Sequence, residues 1–142
     1  MKIREGRVSD EKALYNLLRD TPELHAAEED NLYTTAWVKN FLASKNLLVL
    51  VAEEKKQVVG FIMAELWEKQ GYSFLSNIAI VPEFRRQGVG SKLYDAYEAY
   101  CKKLKLKCIN YLVLATNEKM QNWSEKHGFK KGKMLYYYEK KL

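Results

Sequence analysis

The chain has little of what usually declares a function. Its 142 residues include two cysteines, two histidines and two prolines. Cys101 and Cys108 stand outside any C-x-x-C spacing, which excludes the common zinc and redox motifs, and both read as small hydrophobes of the interior. His25 and His127 lie far apart with no ligand-type spacing around either, so a metal site is not expected. No apolar run approaches the roughly 18–20 residues that a membrane-spanning helix needs. The longest candidate, Leu47 to Ala52, stops at Glu53. Met1 to Arg7 alternates charged and apolar side chains and lacks the apolar stretch of a secretory signal, which makes the cytoplasm the expected address. No repeat, linker or low-complexity block interrupts the sequence, so residues 1–142 read as one domain.

What is present is enough to fold. Hydrophobic residues make up 47% of the chain and aromatics 13%, enough apolar surface to offset the entropy of ordering and to exclude disorder along its length. Lys and Arg number 24 against 18 Asp and Glu, a formal net charge of +6. That excess favours an anionic partner and leaves open nucleic acid, acidic lipid and a phosphorylated cofactor.

The pattern along the chain alternates strand and helix. Lys2 to Arg7 reads as a short strand, and Ser9 offers a hydroxyl cap before an apolar stripe of Ala13, Leu14, Leu17 and Leu18. Beyond Pro22 comes an acidic segment, Glu28-Glu29-Asp30, then a second stripe in Trp37, Val38, Phe41 and Leu42. Leu47 to Glu53 and Val58 to Trp67 form a β-rich pair, and Tyr72 to Val81 supplies a third long strand. From Val89 the apolar residues recur at helical spacing as far as Leu104. Ile109 to Ala115 reads as a buried strand, Asn117 caps a last helix that ends at Gly128, and Phe129 to Lys141 finishes as strand. The predicted fold is α/β (α+β), a mixed, mostly antiparallel sheet with helices on both faces, in the order β-α-α-β-β-β-α-β-α-β.

The stretch Val81 to Ser91 joins an apolar strand to an amphipathic helix and carries the clearest chemistry. Gly88 and Gly90 remove side chains where the backbone enters the helix, exposing N–H groups at the positive end of a helix dipole, and Arg85 and Arg86 add charge beside them. The combination suits an anion, best a pyrophosphate. Leu93 stands where a dinucleotide fingerprint needs its third glycine, and no G-x-x-x-x-G-K-[ST] occurs.

Asn77-Ile78-Ala79-Ile80-Val81-Pro82-Glu83-Phe84-Arg85-Arg86-Gln87-Gly88-Val89-Gly90 resembles the signature of the GNAT superfamily of N-acetyltransferases, with Arg85, Gly88 and Gly90 on its [QR]-x-x-G-x-[GA] pattern. Asn117 and Gly128-Phe129 fall where that family carries an Asn at the start of its last helix and a Gly-Phe after it. The small single-domain branch that includes ribosomal-protein N-terminal acetyltransferases is the most similar in kind. The resemblance implies transfer of an acetyl group from acetyl-CoA to a primary amine, on a small molecule or a peptide, by direct attack. It implies that the backbone at Ile78, Ala79 and Ile80 pairs with the pantetheine arm. Arg85, Arg86, Gln87, Gly88, Val89, Gly90 and Ser91 would hold the pyrophosphate, and Asn117 would cap its helix or touch cofactor or acceptor.

Direct attack needs a neutral amine. A lysine-like amine of pKa about 10.4 is neutral only to about one part in a few thousand at pH 7, whereas an α-amino group near 7.7–8.0 is roughly a tenth neutral. Glu65, late in an apolar strand, is the candidate base. Leu112 occupies the place where the N-terminal protein acetyltransferases tend to carry an acid, and Ser124 stands where many family members place the Tyr that protonates the departing thiolate. Ser124 is therefore the candidate proton or hydrogen-bond donor, with Tyr111, Tyr136, Tyr137 and Tyr138 as other phenols on neighbouring strands, where aromatics more often pack. The acidic Glu28-Glu29-Asp30 is a candidate recruiter of cationic acceptors. An acyl-CoA-binding sensor without turnover is the alternative that Ser124 supports. A basic nucleic-acid-binding domain, using Lys130, Lys131, Lys133, Lys140 and Lys141 beside the tyrosines, would leave the paired motifs unexplained. Oligomeric state stays open, a homodimer included.

Overall fold

The computed structural model describes residues 1–25 and 33–142. The acidic segment Glu28-Glu29-Asp30 lies outside them.

Among the described residues five strands form one sheet in chain order: β1 (Lys2–Glu5), β2 (Leu47–Glu54), β3 (Gln57–Trp67), β4 (Tyr72–Ile80) and β5 (Cys108–Asn110). The first three pairings are antiparallel and β4 with β5 is parallel. Helices α1 (Glu11–Arg19) and α2 (Thr35–Ala43) cover one face. There Leu14, Leu18, Val38 and Phe41 pack on Val49, Val51, Phe61 and Met63. Helix α3 (Val89–Lys103) covers the other face by presenting Val89, Leu93, Tyr97 and Cys101, four residues apart, to Leu50, Ile62, Ala64 and Leu75. Helix α4 (Glu118–Lys126) adds Trp123 to that side. Because β2 and β3 are covered on both faces, they read as continuous apolar runs rather than as alternating strands.

The chain enters α1 differently from the expectation that Ser9 caps it. Val8–Asp10 forms a single 3₁₀ turn, and Asp10 rather than Ser9 precedes the helix. The Asp10 carboxylate accepts the Arg7 amide at 2.7 Å and a pair of Arg4 bonds at 2.8 and 3.0 Å. The Arg4 guanidinium holds Asp10 below the usual carboxylate range and reaches on to Glu53 at 2.7 Å, so β1, β2 and α1 share one ion cluster.

Two expected strands are curtailed. Of the strand expected at Ile109 to Ala115 only Ile109 and Asn110 pair, joined by Cys108 before them, and beyond it Leu112 is 69% and Leu114 38% exposed. Phe129 to Lys141 forms no strand, and Tyr136 and Tyr138 stand 80% and 88% exposed. Apolar and aromatic content gives a segment β propensity, but a strand exists only where another supplies its hydrogen bonds, and neither segment has such a partner among the described residues. Cys101 is buried as expected, whereas Cys108 is exposed at the start of β5.

Candidate active site

The site is built on the way β4 leaves its neighbours. Opposite β3, Met63 pairs with Asn77 and Ala64 with Leu75, so Ser76 is an extra residue, a β-bulge. The bulge reverses the facing of the residues after it. Leu75 packs into the α3 side of the sheet, whereas Asn77 follows Met63 and Ala79 onto the α1/α2 side.

Towards β5, pairing runs from Tyr72–Cys108 to Phe74–Asn110 and stops, although β4 continues to Ile80. From Leu75 to Ile80 this edge of β4 has no strand partner among the described residues, and we refer to the open edge as the cleft. Val81 donates its amide to the Val59 carbonyl at 2.9 Å. Antiparallel alternation then turns the backbone groups of Ala79 to β3 and those of Ile78 and Ile80 away from it, into the cleft. Arg85 Nε bonds the Ile80 carbonyl at 2.9 Å, as that direction requires.

At the far end of β4 a 3₁₀ turn, Pro82–Phe84, leads to a left-handed Arg86 (φ 60°) and a left-handed Gly88 (φ 76°), and α3 begins at Val89. Gly88 provides no side-chain cap, and the first helical bond is Lys92 N–H to the Gly88 carbonyl at 3.0 Å. The amides of Gly88, Val89, Gly90 and Ser91 therefore have no carbonyl behind them. A Cβ at Gly88 or Gly90 would meet nothing within 4 Å, so the cradle is open as well as positive, and its residues fit a pyrophosphate. Gln87 turns its side chain back to the Glu83 carbonyl at 2.7 Å, bracing the turn. Ser91 Oγ lies 3.4 Å from His127 Nε2, while His127 Nδ1 sits 2.8 Å from the Trp123 carbonyl. A carbonyl only accepts, so Nδ1 carries the proton there. His127 thus ties the first turn of α3 to the end of α4.

On the α1/α2 face the bulge brings polar groups together. Ser76 Oγ donates to Glu65 Oε1 at 3.5 Å, and buried Asn77 donates through Nδ2 to the Tyr33 hydroxyl at 2.7 Å. Tyr33 in turn donates to the Leu24 carbonyl at 2.9 Å, and burial pushes its phenol up. Asn77 was legible only as part of the motif, although a carboxamide within an apolar strand is itself a signal of a satisfied buried contact.

On the α3/α4 face stands Ser124. It is 9% exposed, donates to the Met120 carbonyl at 2.5 Å and accepts a hydrogen bond from Tyr111. Burial pushes the Tyr111 phenol up, and the ring packs edge-on against Phe129 with centroids 4.8 Å apart. Of the phenols considered from sequence, Tyr111 joins Ser124, while Tyr136, Tyr137 and Tyr138 are exposed. Asn117 caps α4, its Oδ1 accepting from the Met120 amide at 3.1 Å. The arrangement places Glu65 and Ser124 on opposite faces of the sheet, on either side of the line along which β4 and β5 part.

Comparison with known proteins agrees with this geometry. The sequence model of the Acetyltransferase (GNAT) family matches residues 11–129. The uncharacterized N-acetyltransferase YhfO of Bacillus subtilis is 25% identical over 97% of this chain and 95% of its own. Among solved structures, aminoglycoside 6'-N-acetyltransferase AAC(6')-IG of Acinetobacter haemolyticus superposes with a TM-score of 0.78 at 21% identity, over 100% of this chain and 99% of that one. The PaiA N-acetyltransferase of Thermoplasma acidophilum, solved in complex with coenzyme A, gives 0.80 at 20% identity over 91% and 89%. With the family match running from the start of α1 to the phenylalanine after α4, the chain belongs to the GNAT family of acetyltransferases.

Proposed function

We propose that the amine acceptor is received on the α1/α2 side of the β4 bulge, with Glu65 as the base, and that the sulfur departs on the Ser124 side. The overall reaction is N-acetyl transfer from acetyl-CoA to an amine, the activity of the family. Acetyl-CoA supplies the activated acetyl group. The observation that carries the reading is the parting of β4 from β5 after Phe74–Asn110, with the backbone of Ile78 and Ile80 turned into the cleft and the α3 amides at its end.

In this reading Ile78, Ala79 and Ile80 provide the wall along which an extended arm pairs as a further strand would. Gly88, Val89, Gly90 and Ser91 hold phosphate by their amides, Arg85 and Arg86 add charge, Gln87 fixes the turn, and the carboxamide nitrogen of Asn117 faces the ligand while its oxygen caps α4. The Ile78 N–H, the nearer of the two outward-turned amides to the bulge, stabilises the carbonyl oxygen as it gains charge. Glu65 takes the ammonium proton through water, a step that matters far more for a lysine-like amine than for an α-amino group. We assign the acceptor to the primary amines, small-molecule or peptide. We assign the enzyme to the cytoplasm, a reading that its two free thiols, Cys101 and Cys108, support. The open edge beyond Asn110, with Leu112 exposed, is where a second copy would pair in a homodimer, which sedimentation would detect.

The test is a turnover screen with acetyl-CoA against polyamines, aminoglycosides, amino acids and peptides with free N-termini. Release of free CoA with at least one class is expected. Acetyl-CoA binding without release across the whole panel would make the chain a sensor instead.

A further inference from the structure

We infer that Tyr111 is the group that protonates the departing sulfur, and that Ser124 positions its phenol and then steadies the phenolate. The inference rests on the proposed N-acetyl transfer in the β4–β5 cleft. Three observations carry it.

The first is position. Phe74–Asn110 is the last pair between β4 and β5, so Tyr111 is the next residue after the fork. The anion cradle fixes the other end of the cleft at Val89 to Ser91. From Val81 back to the Ser76 bulge is roughly 16–17 Å at about 3.3 Å per residue. A ligand held by its phosphates in the cradle and lying along β4 brings its thioester end to the fork, between Glu65 on one face and the Tyr111–Ser124 pair on the other.

The second is the direction of the hydrogen bonds. A serine has one proton, and that of Ser124 is directed to the Met120 carbonyl at 2.5 Å, so its oxygen serves as acceptor to Tyr111. In this resting arrangement Ser124 has no proton to offer sulfur. The phenol has one, and by releasing Ser124 it frees a neighbour that can turn its own hydroxyl from Met120 to the phenolate.

The third is constraint. The Tyr111 ring is held edge-on by Phe129, and Phe129 in turn meets Tyr94 of α3 at 5.6 Å. The titratable groups around the phenol are Tyr94 and, past the Phe129 and Trp123 rings, His127. Tyr136 and Tyr138, exposed at the end of the chain, have no such support.

Atoms and electrons balance in this step. The amine nitrogen forms a bond to the acetyl carbon, and the carbon–sulfur bond breaks with its electron pair going to sulfur. The Tyr111 proton passes to that sulfur while the Ser124 hydroxyl turns to the phenolate. The proton shed by nitrogen restores the phenol through water.

The test compares the full-length wild type with Tyr111→Phe. Both are saturated with CoA, and the bound thiol is titrated by its thiolate absorbance. A hydrogen bond from Tyr111 favours the thiolate, so its midpoint in Tyr111→Phe should lie about one pH unit higher, the size of one bond to a charged acceptor. CoA affinity should change by less than about threefold, and turnover should fall about a hundredfold, as for loss of a general acid. Equal midpoints in two proteins that both bind CoA would overturn the role of Tyr111 and leave the proposed function standing. A wild type that binds no CoA would overturn that function, and this inference with it. If Tyr111→Phe fails to fold, Tyr111→fluorotyrosine keeps the packing and a more acidic phenol: the bound-thiol midpoint should then fall below that of the wild type, and an unmoved midpoint would refute the inference.

Discussion

Val81 donates its amide to the Val59 carbonyl at 2.9 Å, and this ladder bond decides how the residues before it present their backbones. Ala79 faces β3, while Ile78 and Ile80 face the cleft. In amide hydrogen exchange, Ala79 and Val81 should be protected in the free protein, and Ile78 and Ile80 should exchange much faster. Added CoA should slow Ile78 and Ile80 at least tenfold. Equal protection of all four in the free protein would mean that the ladder does not alternate as described.

The proposed phosphate cradle makes a prediction about charge. Arg85→Ala removes a guanidinium, and Gly88→Asp puts a carboxylate beside the α3 amides at a left-handed position. Each should weaken CoA by about 1.5–3 kcal/mol, the worth of a bond to a charged group. Pantetheine, which lacks the pyrophosphate, should lose little. Gly88→Ala separates backbone strain from charge, since a methyl there meets nothing within 4 Å. Calorimetry with both ligands checks the three variants, and equal losses for CoA and pantetheine would place the phosphates elsewhere.

Ser124→Ala removes the phenol's acceptor but leaves the phenol. Turnover should drop about tenfold or less, with CoA affinity nearly unchanged, as for one ordinary hydrogen bond. A thousandfold drop in steady-state assays would make Ser124 itself the essential donor.

Asn77→Ala breaks the tie from the bulge to Tyr33, which borders the proposed acceptor side. Stability should fall by about 1–2 kcal/mol in urea melts. The KM for the amine should rise several-fold while CoA binding stays put. A rise in the CoA dissociation constant instead would move Asn77 to the cofactor side.

Asp10 links stability to pH. Arg4 and the Arg7 amide hold its folded pKa below the unfolded value of about 3.9. Its contribution is therefore complete above that unfolded value and disappears as the pH falls through the folded one. Asp10→Asn should cost about 1.5–3 kcal/mol at neutral pH, and the two unfolding curves should converge in acid. A constant gap down to the acid transition would show that packing, not charge, is what the substitution loses.

Much of the fold was legible in the sequence because it is written locally. Helix faces repeat every three or four residues, glycines mark the cradle, and Asn117 precedes its helix. The long strands were readable because apolar runs of β-branched residues between turns have few other solutions. Contacts between distant segments were not readable. Nothing around Tyr111 announces that its hydroxyl meets Ser124, and the Ser76 bulge appears only when β3 is laid beside β4. The same limit explains the strand expected at Phe129 to Lys141: composition marks a segment able to pair, but the partner is a property of the fold.

The brevity of the β4–β5 ladder bears on how long the protein lasts in a cell. Three residue pairs join β5 to the sheet, and α4 comes after it in the chain. So short a seam marks the segment from Cys108 onward as the part that opens first and meets proteases first. A substrate lying along β4 and capped by α3 would close that seam, stabilising the bound form by about 2.7 kcal/mol at a hundred times its dissociation constant. Cleavage of that segment by a protease would then slow as acetyl-CoA concentration rises.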